Sequence, residues 1–258
     1  MAPRPFLPSG PSPGVGREET QRMDISLQEL LAKRGARAHL VGICGIGMSG
    51  LALLLQRRGL TVSGCDAACR RTARWLEEHG IPVAAGHDPA HVAAGVDCVV
   101  YSPAVPREAP ELAAARIAGL PVLRRGEVLP ALLADATSIA VAGTHGKTTT
   151  ATFIAHVLTA AGRDPSFCVG GEIPALGGMA GVGQGGLLVV EADESDGTLA
   201  LYEPDIAVIT NVEFDHMEHV DGVAAFEECF RRFARGARRT VVYGADDPRA
   251  RSLCGNLA

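Results

Sequence analysis

Residues 138–150 read Ser-Ile-Ala-Val-Ala-Gly-Thr-His-Gly-Lys-Thr-Thr-Thr, and this stretch decides the fold of the chain. Its first part, Ser138–Ala142, is a short and mostly apolar run of the kind that predicts a buried β-strand. A glycine-rich loop follows, and apolar residues then recur on one face of a predicted helix, at Phe153, Ile154, Val157 and Leu158. A strand, a glycine loop, a Lys-Thr pair and a helix in this order are typical of a loop that binds a nucleoside triphosphate.

The loop supplies the groups that a triphosphate needs. Its backbone amides can surround the β-phosphate, the Lys147 ammonium can reach the β- and γ-phosphate oxygens, and the Thr148 hydroxyl can bind magnesium. The loop is shorter than the usual pattern, because Val141 stands where the first glycine is expected. We therefore predict ATP and Mg²⁺ as cofactors. The predicted contacts are Gly143, Thr144, His145, Gly146, Lys147, Thr148 and Thr149.

A second glycine turn lies closer to the N-terminus. The pattern Gly45-x-Gly47-x-x-Gly50 follows an apolar strand and opens a predicted helix, and Asp66 closes the next strand. Glycines at this spacing let backbone amides approach a diphosphate at a helix N-terminus, and the carboxylate can accept hydrogen bonds from sugar hydroxyls. The spacing alone does not choose between NAD and a UDP-sugar. The glycines could also serve only tight turns and helix–sheet packing.

Helical stretches that end in glycine and lead into short apolar strands recur along the chain, which favours βαβ units and the α/β class. We predict an N-terminal Rossmann-like parallel-sheet domain at residues 23–135, after a disordered tail at 1–22. An incomplete P-loop ATP-binding α/β domain follows at residues 136–258. The stretch Gly177–Gly186 contains six glycines and is predicted to be a mobile surface loop.

Acidic residues follow two predicted strands of the second domain. Glu191 comes directly after the strand at 187–190, and His216 lies beyond the strand at 205–210. Because ligands gather at the carboxyl ends of parallel strands, both should lie near Lys147 and Thr148. We predict Thr148, Glu191 and His216 as magnesium ligands, and Lys147, Glu191 and His216 as catalytic residues. Three further carboxylates either join this site or form a solvated loop, namely Asp193, Glu194 and Asp196.

Composition excludes several classes of protein. The net charge of -5 offers no basic surface for nucleic acid, and no apolar run is long enough to cross a membrane. The seven cysteines are odd in number and include no CxxC pair, which argues against a disulfide framework or a structural zinc site and fits a reducing cytoplasm. Phe226, Phe230 and Phe233 form a predicted core stripe beside a solvated arginine-rich face.

Taken together, the motifs resemble those of the Mur ligases of peptidoglycan synthesis, over about residues 38–250. The matching segments are His39-Leu-Val-Gly-Ile-Cys-Gly-Ile-Gly-Met-Ser-Gly50, Ser102-Pro-Ala-Val-Pro106, Ala142-Gly-Thr-His-Gly-Lys-Thr-Thr-Thr150, Glu191-Ala-Asp-Glu-Ser-Asp196 and Thr210-Asn-Val-Glu-Phe-Asp-His216. The resemblance implies that the N-terminal domain binds the UDP part of the substrate. Gly45, Gly47 and Gly50 would then face the diphosphate, with Asp66 and Ser102 near the nucleoside or sugar.

The resemblance also implies a reaction, in which ATP drives amide formation through an acyl phosphate. UDP-N-acetylmuramate would supply the carboxylate and L-alanine the amine; a recycling ligase would add a tripeptide instead. A third domain, which holds the amino acid in this family, would follow Ala258, so we expect this chain to lack ligase activity alone. A non-catalytic nucleotide-binding module and an NAD-dependent oxidoreductase remain as alternatives. The oxidoreductase gives Lys147, Thr148 and Glu191 no role.

Overall fold

The computed structural model describes residues 27–69, 71–92, 95–194, 197–214 and 222–255. It contains two mainly parallel β-sheets flanked by helices, which confirms the predicted α/β class. The predicted tail at residues 1–22 lies outside the described residues, and residues 27–32 are helical. No helix among the described residues combines the length and apolarity needed to cross a membrane.

The first sheet has five parallel strands in the order β3-β2-β1-β4-β5. The strands are β1 (Arg37–Val41), β2 (Thr61–Asp66), β3 (Val83–Ala85), β4 (Cys98–Tyr101) and β5 (Val122–Arg124). The helices of this part are α1 (Ile46–Arg57), α2 (Arg71–Glu78), α3 (Pro110–Ile117) and α4 (Arg125–Ala131), with short 3₁₀ turns at Pro89–His91 and Leu132–Asp135. Helices on both faces of the sheet explain why its central strands are buried on both sides.

The second sheet has six strands in the order β11-β10-β6-β9-β7-β8, parallel except for the antiparallel pair β7–β8. The strands are β6 (Thr137–Ala142), β7 (Ser166–Ile173), β8 (Gly178–Gly181), β9 (Leu187–Glu191), β10 (Ile206–Ile209) and β11 (Thr240–Tyr243). The helices are α5 (Lys147–Ala160), α6 (Val223–Gly236) and α7 (Pro248–Cys254), and 3₁₀ turns lie at Pro174–Leu176 and Thr198–Leu201. The proposed domain boundary at 135/136 falls between the two sheets and stays a prediction.

Helix α1 of the first sheet packs directly on β7 and β8 of the second. A Cβ added to Gly50 would lie 2.5 Å from Cys168 Sγ and 3.3 Å from Ala180 Cβ, so only glycine allows this approach. The Ser49 hydroxyl donates a hydrogen bond to Met179 Sδ at 2.9 Å. One buried apolar cluster accordingly runs through both sheets, which fixes α1 against the second domain.

In the second domain one sequence prediction was wrong, one holds in part and one is confirmed. The stretch Gly177–Gly186, predicted to be a mobile loop, contains strand β8, whose glycines permit close packing, for example of Gly181 on the Phe167 ring. On α5, Ile154 and Leu158 pack partly buried against the core beside the buried Ala151 and Ala155, whereas Phe153 is 68% and Val157 48% exposed. The aromatic stripe of α6 is confirmed, because Phe226, Phe230 and Phe233 are all fully buried.

One disulfide is present among the described residues, between Cys44 in the first glycine turn and Cys69 after β2. Their Cα atoms lie 5.9 Å apart although 25 positions separate them in the sequence. The cysteine count argued against a disulfide framework, and it did not predict this single disulfide. The parallel pairing of β1 with β2 places the two loops side by side, and no local spacing pattern signals that proximity.

The carboxylate of Asp205, just before β10, links Ser138 of β6 to Arg238, which precedes β11. Asp205 Oδ2 accepts hydrogen bonds from the Ser138 N–H at 2.9 Å and from Arg238 Nη2 at 2.9 Å. The Ser138 backbone hydrogen bond and then the Arg238 side chain, acting against burial, lower the pKa of Asp205. A lowered folded-state pKa means that this stabilisation is present above the unfolded value and is lost as pH falls through the folded value.

We therefore expect Asp205→Asn to lower the melting temperature at pH 7, and expect the difference from the parent protein to shrink as pH falls below about 4. Thermal melts followed by circular dichroism between pH 7 and pH 3 would measure it. A difference that stays constant over this range would contradict the assignment of the stabilisation to the charged carboxylate.

Candidate active site

The loop between β6 and α5 depends on two glycines with positive φ. Gly143 has φ +135° and Gly146 has φ +79°, conformations that residues with a Cβ rarely adopt. At Gly143 a Cβ would also collide with Thr210 Oγ1 and lie 3.0 Å from the Asn211 carbonyl oxygen. The loop therefore turns tightly beneath the end of β10, and its amides lead into the N-terminus of α5, where anions are favoured.

Residues that follow β10 hold this loop from the side. The Asn211 side chain accepts a hydrogen bond from the His145 N–H at 2.9 Å and donates one to the His145 carbonyl at 2.9 Å. The Thr210 hydroxyl donates to the same carbonyl at 2.7 Å, and the Thr144 hydroxyl joins the Glu213 backbone. Thr210 and Asn211 were missed as site residues, although they open the last of the family-like motifs.

Lys147 is turned back onto its own loop. Its ammonium donates to the Gly143 carbonyl at 2.6 Å and lies 2.7 Å from Glu194 Oε1. The Glu194 side chain is 5% exposed, so it is part of the site and the solvated-loop alternative is wrong for this residue. Burial raises the pKa of Glu194, and the Lys147 ammonium acts against that rise. The ion pair with Glu194 therefore holds the Lys147 ammonium next to the loop amides.

Thr148 and Glu191 meet as predicted. The Thr148 hydroxyl donates to Glu191 Oε2 at 2.9 Å, and the Gly170 N–H donates to the same oxygen at 2.6 Å. A Cβ at Gly170 would lie 2.6 Å from this carboxylate, so the close approach of β7 depends on glycine. An alcohol and a carboxylate side by side are hard oxygen donors of the kind that Mg²⁺ prefers. His216, the third predicted ligand, lies outside the described residues.

A cavity of about 380 Å³ lies between the first glycine turn and Lys147 at the start of α5. Gly45, Gly47 and Ser102 line it on the side of the first sheet, and Lys147 and Glu191 line it on the other side. Five residues that the sequence placed in two separate sites therefore share one cavity. Of the remaining predicted contacts, the loop residue Thr149 is exposed on the first turn of α5.

Two predicted substrate contacts do not line this cavity. Gly50 is buried against Cys168, as described above. Asp66 binds the first glycine turn, because its carboxylate accepts hydrogen bonds from the Cys44 N–H at 3.0 Å and the Ala68 N–H at 3.2 Å. Their roles toward a ligand stay predictions.

A cation that sequence reasoning missed also lines the cavity. Arg125, at the start of α4, pairs with Asp193 at 3.3 Å, and its guanidinium occupies the space that a Cβ on Gly47 would need, at 2.7 Å. Its position next to the turn suits an anionic group, because a guanidinium matches phosphate and carboxylate geometry. Nothing in its local sequence signals this role, since the approach of α4 to the turn is tertiary.

Two protein-family models match the chain. The first, described as the Mur ligase family catalytic domain, matches residues 37–137, and the second, the Mur ligase middle domain, matches residues 141–258. Among curated proteins, a UDP-N-acetylmuramate–L-alanine ligase of Kineococcus radiotolerans is 48% identical over 229 residues, which is 86% of this chain and 48% of that protein. A ligase of the same name from Symbiobacterium thermophilum is 46% identical and is covered over 46% of its length. The chain thus spans about half the length of the curated relatives it matches.

Solved structures give the same result. A UDP-N-acetylmuramate–alanine ligase from Thermotoga maritima superposes with a TM-score of 0.78 at 32% identity, covering 84% of this chain and 51% of that chain. The UDP-N-acetylmuramate:L-alanyl-gamma-D-glutamyl-meso-diaminopimelate ligase from Neisseria meningitides superposes with a TM-score of 0.77 at 31% identity, covering 85% and 74% of the two chains.

Proposed function

This chain belongs to the Mur ligase family, and on that premise we propose that it carries the nucleotide-sugar and ATP sites of an ATP-dependent ligase that joins L-alanine to UDP-N-acetylmuramate. The main support is the shared cavity, in which the first glycine turn faces Lys147 and Glu191. A ligase that activates one substrate with another needs both within reach of each other, because orientation supplies much of its rate enhancement.

The residues present fit ATP and magnesium. Lys147 and the amides of Gly143–Gly146 would hold the phosphates, and Arg125 would add a second cation at the cavity wall. Thr148 and Glu191 already lie 2.9 Å apart and would hold one magnesium ion. Bound magnesium would neutralise charge among crowded phosphate oxygens. His216 would serve a second ion.

The bond that forms joins a carboxyl carbon of the sugar substrate to the amine nitrogen, with phosphate as the leaving group. The substrate carboxylate first attacks the γ-phosphorus of ATP and ADP leaves; the amine then displaces phosphate from the acyl group and loses a proton. The chain's contribution is to align these groups and to offset negative charge, which suits Lys147 and Arg125. Glu194 keeps the ammonium of Lys147 in position until the phosphates arrive.

The two solved relatives named above differ in the amine substrate that their names give, which is alanine for one and a tripeptide for the other. The curated relatives at 43–48% identity carry the L-alanine name, which supports L-alanine for this chain.

Calorimetric titration with ATP–Mg²⁺, UDP-N-acetylmuramate and NAD in turn tests the proposal. We expect one site for each of the first two ligands and no heat with NAD. Binding of NAD without a response to the UDP-sugar would support an oxidoreductase and reject the ligase. Failure of ATP–Mg²⁺ to bind would reject any ATP-dependent function.

A substitution at Glu191 tests the magnesium assignment. Magnesium should raise the affinity of the parent chain for ATP, and we expect Glu191→Gln to reduce this gain by about tenfold or more. The reason is that a hydrogen bond or ligand bond of a charged group contributes roughly 1.5–3 kcal/mol. ATP titrations with magnesium and with EDTA would measure the gain. Glu172→Gln, on the same sheet and paired with Arg71, is the matched control and should leave the gain intact. An unchanged gain in Glu191→Gln would contradict the assignment.

A further inference from the structure

A compact group of histidine, cysteine and glutamate side chains lies in the first domain, on the sheet face covered by α3 and away from the active-site cavity. His39 of β1, Cys65 of β2 and His91 of the 3₁₀ turn each offer one atom that could bind a metal, and these atoms lie within 4.8 Å of one another. Cys65 is fully buried and His39 is 3% exposed. Imidazole nitrogen and thiolate sulfur are the donors of protein zinc sites.

Each histidine ring is oriented by a hydrogen bond at its Nδ1 atom. His39 Nδ1 pairs with Ser63 Oγ at 3.0 Å, and His91 Nδ1 pairs with Glu111 Oε1 at 3.1 Å. Nε2 of His39 has no hydrogen-bond partner among the described residues, and the two ring centroids are 5.6 Å apart. A histidine that binds a metal through one nitrogen and a carboxylate or hydroxyl through the other is the usual arrangement around zinc.

Two buried atoms of this group have no hydrogen-bond partner among the described residues. They are Nε2 of His39 and Oε2 of Glu111, and the Glu111 side chain is fully buried. Buried polar atoms are nearly always paired, so two such atoms beside one thiol require an explanation.

We propose that His39, Cys65 and His91 bind a divalent transition-metal ion of the zinc class, with Ser63 and Glu111 as the groups that orient the two rings. The proposal is independent of the ligase function. Three protein ligands leave one position of a tetrahedral shell for an exchangeable ligand such as water. Softer sulfur and nitrogen donors favour Zn²⁺ or Co²⁺ over Mg²⁺.

A second grouping shares Cys65 and is the alternative ligand set. Cys65 Sγ, His87 Nδ1 and Glu111 Oε1 lie 3.2–3.7 Å from one another. We favour the first set because the three donor atoms of the second set already hydrogen-bond one another, whereas Nε2 of His39 is buried and unpartnered among the described residues.

The site would also support the first glycine turn. The Cys65 carbonyl accepts hydrogen bonds from the Gly42 and Ile43 N–H groups at 2.9 and 3.2 Å. A metal bound to Cys65 would fix the position from which that turn departs. A metal binds the thiolate form of cysteine, so metal binding should release the thiol proton of Cys65.

Cobalt titration of the tag-free, reduced chain tests the proposal. We expect one Co²⁺ per chain, the ligand-field spectrum of a tetrahedral site and a thiolate-to-cobalt charge-transfer band. Cys65→Ser should abolish the charge-transfer band. Cys98→Ser, a buried thiol of the same sheet that packs on its other face, is the matched control and should keep it. A band that survives in Cys65→Ser, or no cobalt binding by the parent chain, would overturn the proposal.

Further variants separate the two ligand sets. His39→Gln should lose cobalt binding, His87→Gln should keep it, and Glu111→Gln should weaken it by about 10- to 100-fold while retaining the spectrum, as an outer-shell residue does. Loss in His87→Gln with retention in His39→Gln would overturn the assigned set. X-ray absorption of the zinc-loaded parent chain needs no substitution, so it decides the matter even where a variant fails to fold. It should show one sulfur and two imidazole ligands, and any spectrum without sulfur would refute the site.

Discussion

Replacing Lys147 with alanine is expected to lower the affinity for ATP–Mg²⁺ by roughly 10- to 100-fold, because charge-assisted hydrogen bonds to phosphate contribute about 1.5–3 kcal/mol. The chain has only one other lysine, Lys33, which pairs with Asp97 on the surface. Lys33→Ala is therefore the matched control and should bind ATP–Mg²⁺ like the parent. Calorimetry on the two variants measures the difference.

The substitution also leaves Glu194 buried without its cation, and an uncompensated buried charge destabilises a fold. The double variant Lys147→Ala/Glu194→Gln removes that charge as well. We expect it to regain much of the melting temperature lost in the single variant and to remain defective in ATP binding. Undiminished ATP affinity in a folded Lys147→Ala protein would refute the triphosphate site.

Gly143→Ala is expected to be the most destabilising single change in the loop. The new Cβ would collide with the Thr210 hydroxyl and stand at φ +135°. Overpacking costs about 1–3 kcal/mol and a strained backbone about 1–3 kcal/mol, so a loss of about 3 kcal/mol, or roughly 10 °C in melting temperature, is expected. Differential scanning calorimetry would measure it.

A reference with a positive φ but free space is available at Gly162. It has φ +69° and nothing within 4 Å of an added Cβ, so Gly162→Ala measures the smaller cost of a left-handed backbone without a collision. We expect a loss near 1 kcal/mol there. Equal losses in the two variants would mean that the contact with Thr210 is unimportant, and the reason given for the tight loop would then be incorrect.

The parts of the site that were predictable from the sequence are those encoded within one strand–loop–helix segment. Lys147 and Thr148 follow a recognisable loop, and Glu191 follows a buried strand, so chain order alone places them at one edge of the sheet. Glu194 and Arg125 could not be assigned in this way. A carboxylate in an acidic run becomes buried only when another segment covers it, and that is decided by tertiary packing.

Composition misled in two places for physical reasons. Glycine is disfavoured in strands, yet β8 uses Gly181 to let the Phe167 ring approach and Gly178 to let Trp75 of α2 approach. Apolar periodicity placed Phe153, Ile154, Val157 and Leu158 on one face of α5, but only Ile154 and Leu158 pack against the core, beside the small Ala151 and Ala155. The cysteine spacing gave no sign of the His39–Cys65–His91 group, because its members come from three separate elements.

The packing of α1 on β7 and β8 has a thermodynamic consequence. The first glycine turn is joined through α1 to β7, whose Gly170 N–H donates a hydrogen bond to Glu191. The nucleotide sugar and ATP would therefore bind to segments that are packed directly on each other. Any change in ATP affinity caused by the nucleotide sugar must then be matched by an equal change in the reverse direction. The coupling free energy should be the same whichever ligand is added first. Affinities measured with one ligand alone will therefore omit this coupling.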